Sequence, residues 1–122
     1  MEKILLSFLL SLSLISITWA NDYECPRISA IQQIGLDKSS TIHDGHAYMI
    51  SMDHHYGTTH KWTFIVRNIV ASSPAEAFTK ATSVLSSLSG NPQPIYMYGF
   101  MDCQYSNSNK YITEAYTKFI SK

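Results

Sequence analysis

Five histidines, His43, His46, His54, His55 and His60, fall within 18 residues, with Asp44 and Asp53 among them. Neutral imidazole is the commonest transition-metal ligand in proteins and one of the axial ligands of haem iron. A turn after residue 53 that folds the chain back on itself brings His54 or His55 near His60, with Tyr56 close by. His54, His55 and His60 are therefore the candidate ligands for a divalent transition metal. The same three with Tyr56 are the candidate cofactor site for haem. The spacing fits no established zinc pattern: there is no His-Glu-x-x-His, and the cysteines are expected to bond each other. Two plainer readings stand beside this one. The rings are solvated loop side chains, or they respond to acid, since five imidazoles gaining protons near pH ~6.5 carry a neutral protein to net positive charge.

The elements that must position these residues are strands. Over residues 59–71, Trp62, Phe64, Val66 and Val70 share one parity while Lys61, Thr63 and Arg67 share the other, the period-2 pattern of a half-buried strand. It is expected to be the central strand of the sheet. Residues 46–52 alternate more weakly, with Tyr48, Ile50 and Met52 on one parity, and form an antiparallel hairpin with it whose tip is histidine-rich. Upstream, Pro26, the recurrence of Ile28, Ile31 and Ile34, and Gly35 after the last turn predict a helix over residues 26–34. Residues 36–45 read as loop. Ser73, Pro74 and Glu76 make a capping box. The face Ala77, Phe78, Ala81, Val84, Leu85 and Leu88 continues that helix toward Gly90. Residues 95–105 predict a third strand and residues 111–119 a fourth, with Ser106 to Asn109 as the turn between them. The expected fold is α+β: a four-stranded, mainly antiparallel sheet with two helices on one face, in the order α-β-β-α-β-β. Each half of the chain has the same element order, as a diverged duplication would.

Residues 1–20 are set apart from this domain. Met1-Glu2-Lys3 precedes an uncharged apolar run over residues 4–17, and Thr18-Trp19-Ala20 places small residues where signal peptidase needs them. The run has 14 residues, short of the roughly 20 that a membrane span requires, so a cleaved leader is expected, with residues 21–122 exported to the periplasm or beyond the cell. No membrane span is expected to remain after cleavage. Without Glu2 and Lys3 the chain keeps eight basic and eight acidic residues. A balance of zero disfavours nucleic acid and anionic membranes, which both select a concentrated positive field. An even count of two cysteines in an exported chain points to a Cys25–Cys103 disulfide.

Cys25-Pro26 followed by Ser29-Ala30-Ile31 and Gly35-Leu36, the Trp62-Thr63-Phe64 strand, Ala75-Glu76-Ala77 with Leu85 to Ser89, and Cys103-Gln104-Tyr105 span nearly all of the exported part. In these features the chain resembles a family of small exported proteins of Legionella and its relatives, for which hemin binding has been proposed. The resemblance implies a leader peptide, a cysteine pair and a compact mixed fold. It raises haem among the candidate ligands and supplies no ligand residues.

Other chemistry is sparse. A cysteine followed by proline can ligate haem iron as thiolate, but a disulfide removes the thiolate. Tyr96, Tyr98, Phe100 and Tyr105 on the third strand, with Tyr111 and Tyr116 on the fourth, form an aromatic face able to stack a porphyrin or meet a protein partner; aromatics also suit strands in any case. No Gly-x-Ser-x-Gly elbow and no phosphate-cradling glycine loop occurs, so the chain is not expected to be an enzyme. Two function classes follow: a haem- or metal-binding protein, and a secreted protein-interaction module.

Overall fold

The computed structural model describes residues 23–120; the expected leader lies outside the described residues. Two helices, α1 (Ile28–Ile34) and α2 (Pro74–Leu85), accompany six strands: β1 (Ile42–His43), β2 (Tyr48–His54), β3 (Trp62–Ile69), β4 (Ile95–Met97), β5 (Phe100–Tyr105) and β6 (Ile112–Lys118). All pair antiparallel in one sheet of order β1-β2-β3-β6-β5-β4. The expected four-stranded sheet is thus replaced by a six-stranded one, and strand dominates.

Local chemistry explains the two extra strands. The expected strand over residues 95–105 breaks at Tyr98 and Gly99, whose φ values of 48° and 86° are both left-handed. Two consecutive positive φ angles between paired Met97 and Phe100 make a tight two-residue turn, so one long strand becomes the β4–β5 hairpin. In the segment read as loop, Asp37 accepts from the Ser39 amide and caps a short 3-10 turn at Lys38–Ser40. The chain then has just enough length to lay β1 against β2, pairing Ile42 with Met49. One parity also changes. Between the Tyr48–Ile69 and Ile50–Val66 pairs β3 holds one residue more than β2, and Asn68 takes up the bulge at φ 67°. The bulge turns Ile69 into the core and leaves Val70, expected to be buried, 68% exposed.

Both helices cover the same face. Ile31 of α1 and Ala77, Ala81 and Leu85 of α2 join Ile50, Trp62, Phe64, Val66, Cys103 and Ala115 in one buried cluster. The α2 cap forms as half of the expected box. The Ser73 hydroxyl accepts from the Glu76 amide, but the Glu76 carboxylate takes the Ser72 hydroxyl and Lys80 instead of reaching back. Among the described residues the opposite face carries no helix and is held by cross-strand polar pairs, Thr63 to Asp53 at 2.7 Å and Arg67 to Glu114.

The strand order reads the same from either end, and the registers of the β2–β3 and β5–β6 pairs follow suit. Adding 51 to each number carries Ile50–Val66 onto Met101–Thr117, Met52–Phe64 onto Cys103–Ala115, and His54–Trp62 onto Tyr105–Thr113. The same shift carries Phe64 onto Ala115, its own partner across the β3–β6 pair. An approximate twofold axis therefore passes between Phe64 and Ala115, relating an α-β-β-β half to its successor.

Two buried tyrosines tie the sheet to the rest of the chain. The Tyr105 hydroxyl donates to the Pro26 carbonyl, and the Tyr56 hydroxyl donates to the Met52 carbonyl at 3.1 Å. Burial pushes both phenols well above their usual range, with nearby Asp53 adding to the effect at Tyr56 and Tyr56 adding to it at Tyr105. A folded-state value above the unfolded one means that the stabilisation is complete below about pH 10 and is lost as pH rises through the folded value. Unfolding midpoints in urea are expected to hold from pH 7 to 9.5 and fall above pH 10. Replacing Tyr105 by phenylalanine should flatten that fall, and an equal alkaline fall in the variant would exclude this origin.

Candidate functional site

The β2–β3 hairpin forms, but its loop sorts the histidines into different surroundings. His54 ends β2, exposed, and its Nδ1 accepts the Tyr56 backbone N–H at 2.9 Å. That bond requires a lone pair on Nδ1, so in the neutral ring the proton sits on Nε2, where a metal would need the other lone pair. A metal-bound histidine has the reverse arrangement, donating from its second nitrogen. His55 is exposed, and its carbonyl takes both the amide and the hydroxyl of Thr58. Tyr56 is a core residue, 3% exposed. Its left-handed φ of 55° closes the loop while its ring leans on His54 at 5.2 Å. His60 turns to the lead-in segment and stacks on Tyr23, with ring centres 4.1 Å apart and planes 7° apart. Of the expected set the structure brings His54 and Tyr56 together and sends His60 elsewhere. Among the described residues no three His, Cys, Asp or Glu side chains gather where they could hold a metal ion. His43 stacks on Tyr48 at 4.4 Å, and His46 is exposed in the β1–β2 turn.

The Cys25–Cys103 disulfide is formed and joins the lead-in to β5. It bears on the site, because the lead-in supplies residues that sequence reading passed over. Tyr23 stacks on His60, meets Phe119 edge to face at 5.5 Å and accepts the Ile120 amide on its hydroxyl at 2.9 Å. Phe119 in turn meets Tyr96 edge to face at 5.1 Å. His60, Tyr23, Phe119 and Tyr96 thus form a ledge of four rings, three half-buried and Tyr96 more exposed, drawn from the lead-in, the loop before β3, the residue after β6 and β4. Tyr23 was legible only as part of a polar lead-in, and no spacing rule links it to His60.

Tyr23 also borders an open cleft of about 560 Å³ between residues 23–28 and 90–94. Cys25, Arg27, Pro92, Pro94 and Tyr105 line it with Tyr23. The volume falls within the range of small-molecule sites, and the lining is mixed, slightly more polar than apolar, with one cation, Arg27, and one anion, Glu24, both exposed. The expected aromatic face divides. Tyr105 is buried and Tyr111 packs against the core, whereas Phe100 and Tyr116 meet edge to face at 5.9 Å on the face opposite α1 and α2. Tyr98 stands at the β4–β5 turn, 94% exposed.

No helix among the described residues is long and apolar enough to cross a membrane, and the disulfide is compatible with export. A family model described as Domain of unknown function (DUF4949) matches residues 24–119, and the chain belongs to that family. No curated protein and no solved structure matches it.

Proposed function

We propose that this DUF4949 domain is an exported binding protein for a flat, anionic aromatic ligand, hemin being the best-fitting one. The observation that carries the reading is the double role of Tyr23, which joins a ring ledge containing an imidazole to a cleft containing Arg27. The chemistry of hemin matches these parts. Its macrocycle stacks on aromatic rings, its propionates pair with a guanidinium, and its iron accepts an imidazole nitrogen. The resemblance to exported proteins with proposed hemin binding points the same way. His60, Tyr23 and Arg27 would hold the group, with Phe119 and Tyr96 against the macrocycle. His55 is a further exposed imidazole within reach of solvent ligands. A divalent metal on His54, His55 and His60 is the weaker form of the reading, because His54 presents a protonated Nε2.

Adding hemin to the purified exported chain is expected to give a saturable visible spectrum of a histidine-ligated iron. His60→Ala should abolish the ligation band, and Arg27→Gln should weaken binding roughly tenfold, the effect of losing one charge-assisted pair. The proposal is lost if His60→Ala and Tyr23→Leu both leave affinity within about twofold of the parent.

A second reading, an interaction module with a protein partner, is favoured by the β4–β5 hairpin. Ile95, Tyr96, Met97, Tyr98 and Phe100 are all exposed there, although each is large and apolar or aromatic. Partner binding that survives His60→Ala and is lost with Tyr98 and Phe100 substitutions separates it from the first.

A further inference from the structure

We infer that the β4 edge is a self-docking surface: two copies meet antiparallel about a twofold axis at Tyr96 and join their sheets side by side. This deepens the second reading of function; because Tyr96 also belongs to the ring ledge of the first, its test is made without hemin.

The two sheet edges are not equivalent. At one end β1 is two residues long and flanked by Lys38 and Asp44, the kind of charged, short edge that resists pairing. At the other end all of β4 is exposed, with Ile95 at 51%, Tyr96 at 59% and Met97 at 40%. No charged residue occurs between Lys80 and Asp102, so the edge lacks the lysine or glutamate that usually guards one. A surface without charge meets its own copy without like-charge repulsion, and the net charge of zero adds none at long range.

The backbone register selects the axis. A two-residue turn closes on a hydrogen-bonded pair, here Met97 and Phe100, and pairs alternate from there. Tyr96 is therefore the residue of β4 whose N–H and C=O point away from β5. Antiparallel pairing of Tyr96 with Tyr96 of a second copy makes two hydrogen bonds and satisfies both groups in each copy. Pro94, without an N–H, stops the ladder one step further on, so the contact closes as a dimer and does not grow into a fibre. The hairpin is held ready, since Tyr96 leans on Phe119 and the Gly99 carbonyl accepts the Phe119 amide at 2.8 Å.

Tyr98 supplies the independent observation. Its φ of 48° is a conformation that glycine and asparagine adopt far more readily, yet a tyrosine occupies it with 94% of its surface exposed. Its ring gains almost nothing from its own chain, and a ring contributed to a neighbour accounts for its presence. Side chains of this size at these exposures offer on the order of 100 Å² each. Ile95, Tyr96, Met97, Tyr98 and Phe100 then bury about 500 Å² per copy and about 1,000 Å² in all, the lower bound for a specific dimer.

Sedimentation equilibrium of the oxidised exported chain from 1 to 500 μM is expected to show a reversible monomer–dimer equilibrium with a dissociation constant in the micromolar range. Tyr96→Lys, which puts two like charges on the axis, should raise that constant at least tenfold. Tyr98→Asn should also raise it while leaving the thermal midpoint unchanged or higher, because asparagine suits the turn. If Tyr96→Lys fails to fold, hydrogen exchange on the parent replaces it, and the Tyr96 amide should become protected as concentration rises. A monomer throughout the range, open-ended oligomers, or a dimer indifferent to both substitutions with an unprotected Tyr96 amide would each overturn the inference. So would a monomer that uses this edge only for an unrelated extended peptide.

Discussion

Replacing Cys25 and Cys103 together by alanine is expected to lower the free energy of unfolding by roughly 4 kcal/mol. The bond closes a loop of 78 residues, nearly the whole described chain, so cutting it restores most of the conformational freedom that the oxidised unfolded chain lacks. On the chain-entropy account a loop of that size contributes roughly 4.5 kcal/mol, against total stabilities of about 5–15 kcal/mol for a domain. At roughly 4–8 °C per kcal/mol for a domain near 100 residues, the thermal midpoint should fall by about 15–30 °C. The loss has a local component. Cys25 anchors the lead-in that carries Tyr23, so the reduced chain should lose hemin binding at temperatures where the sheet is still folded. Urea unfolding of the alanine pair, followed by far-UV circular dichroism, measures the first effect. A change below about 1 kcal/mol would show that the sheet and helices hold the lead-in without the bond.

What could be read from the residues followed the range of the physical signal. Short-range signals were legible: Ser73 with Pro74 starts α2, the Trp62-Phe64-Val66 alternation marks β3, and two cysteines in a chain with a leader-like start point to one disulfide. The strand count was misjudged where one residue decides. Tyr98 in a left-handed turn carries no composition signal, because asparagine or glycine is the usual occupant, so β4 and β5 read as one strand. The bulge at Asn68 likewise reverses the parity of Ile69 and Val70 without altering their hydrophobicity. The site was the least legible part. Crowding of His54, His55 and His60 in sequence did not become convergence in space, because Tyr56 turns inward and fixes His54 by its backbone. The partner of His60 lies 37 positions upstream at Tyr23, brought there by a disulfide whose consequence for an aromatic side chain no local rule expresses.

Phe64→Ala is the other large effect, expected to cost about 3–5 kcal/mol, because the ring is fully buried and meets Tyr105 edge to face at 5.9 Å. The twofold relation makes a sharper demand than the single substitution does. Phe64 and Ala115 are register partners and images of each other under the 51-residue shift, so their Cβ atoms share one patch of core beneath the helices. Two phenylalanines there would compete for one volume, and two alanines would leave it empty. Divergence of the halves into a large and a small residue fills it once. Ala115→Phe alone should therefore cost about 1–3 kcal/mol by overpacking. The double swap, Phe64→Ala with Ala115→Phe, should be more stable than the sum of the single losses by at least about 1 kcal/mol, since each change fills what the other vacates. Additivity within about 0.5 kcal/mol would mean that the two residues pack against separate parts of the core, and the near-symmetry of the registers would then be a property of the backbone alone.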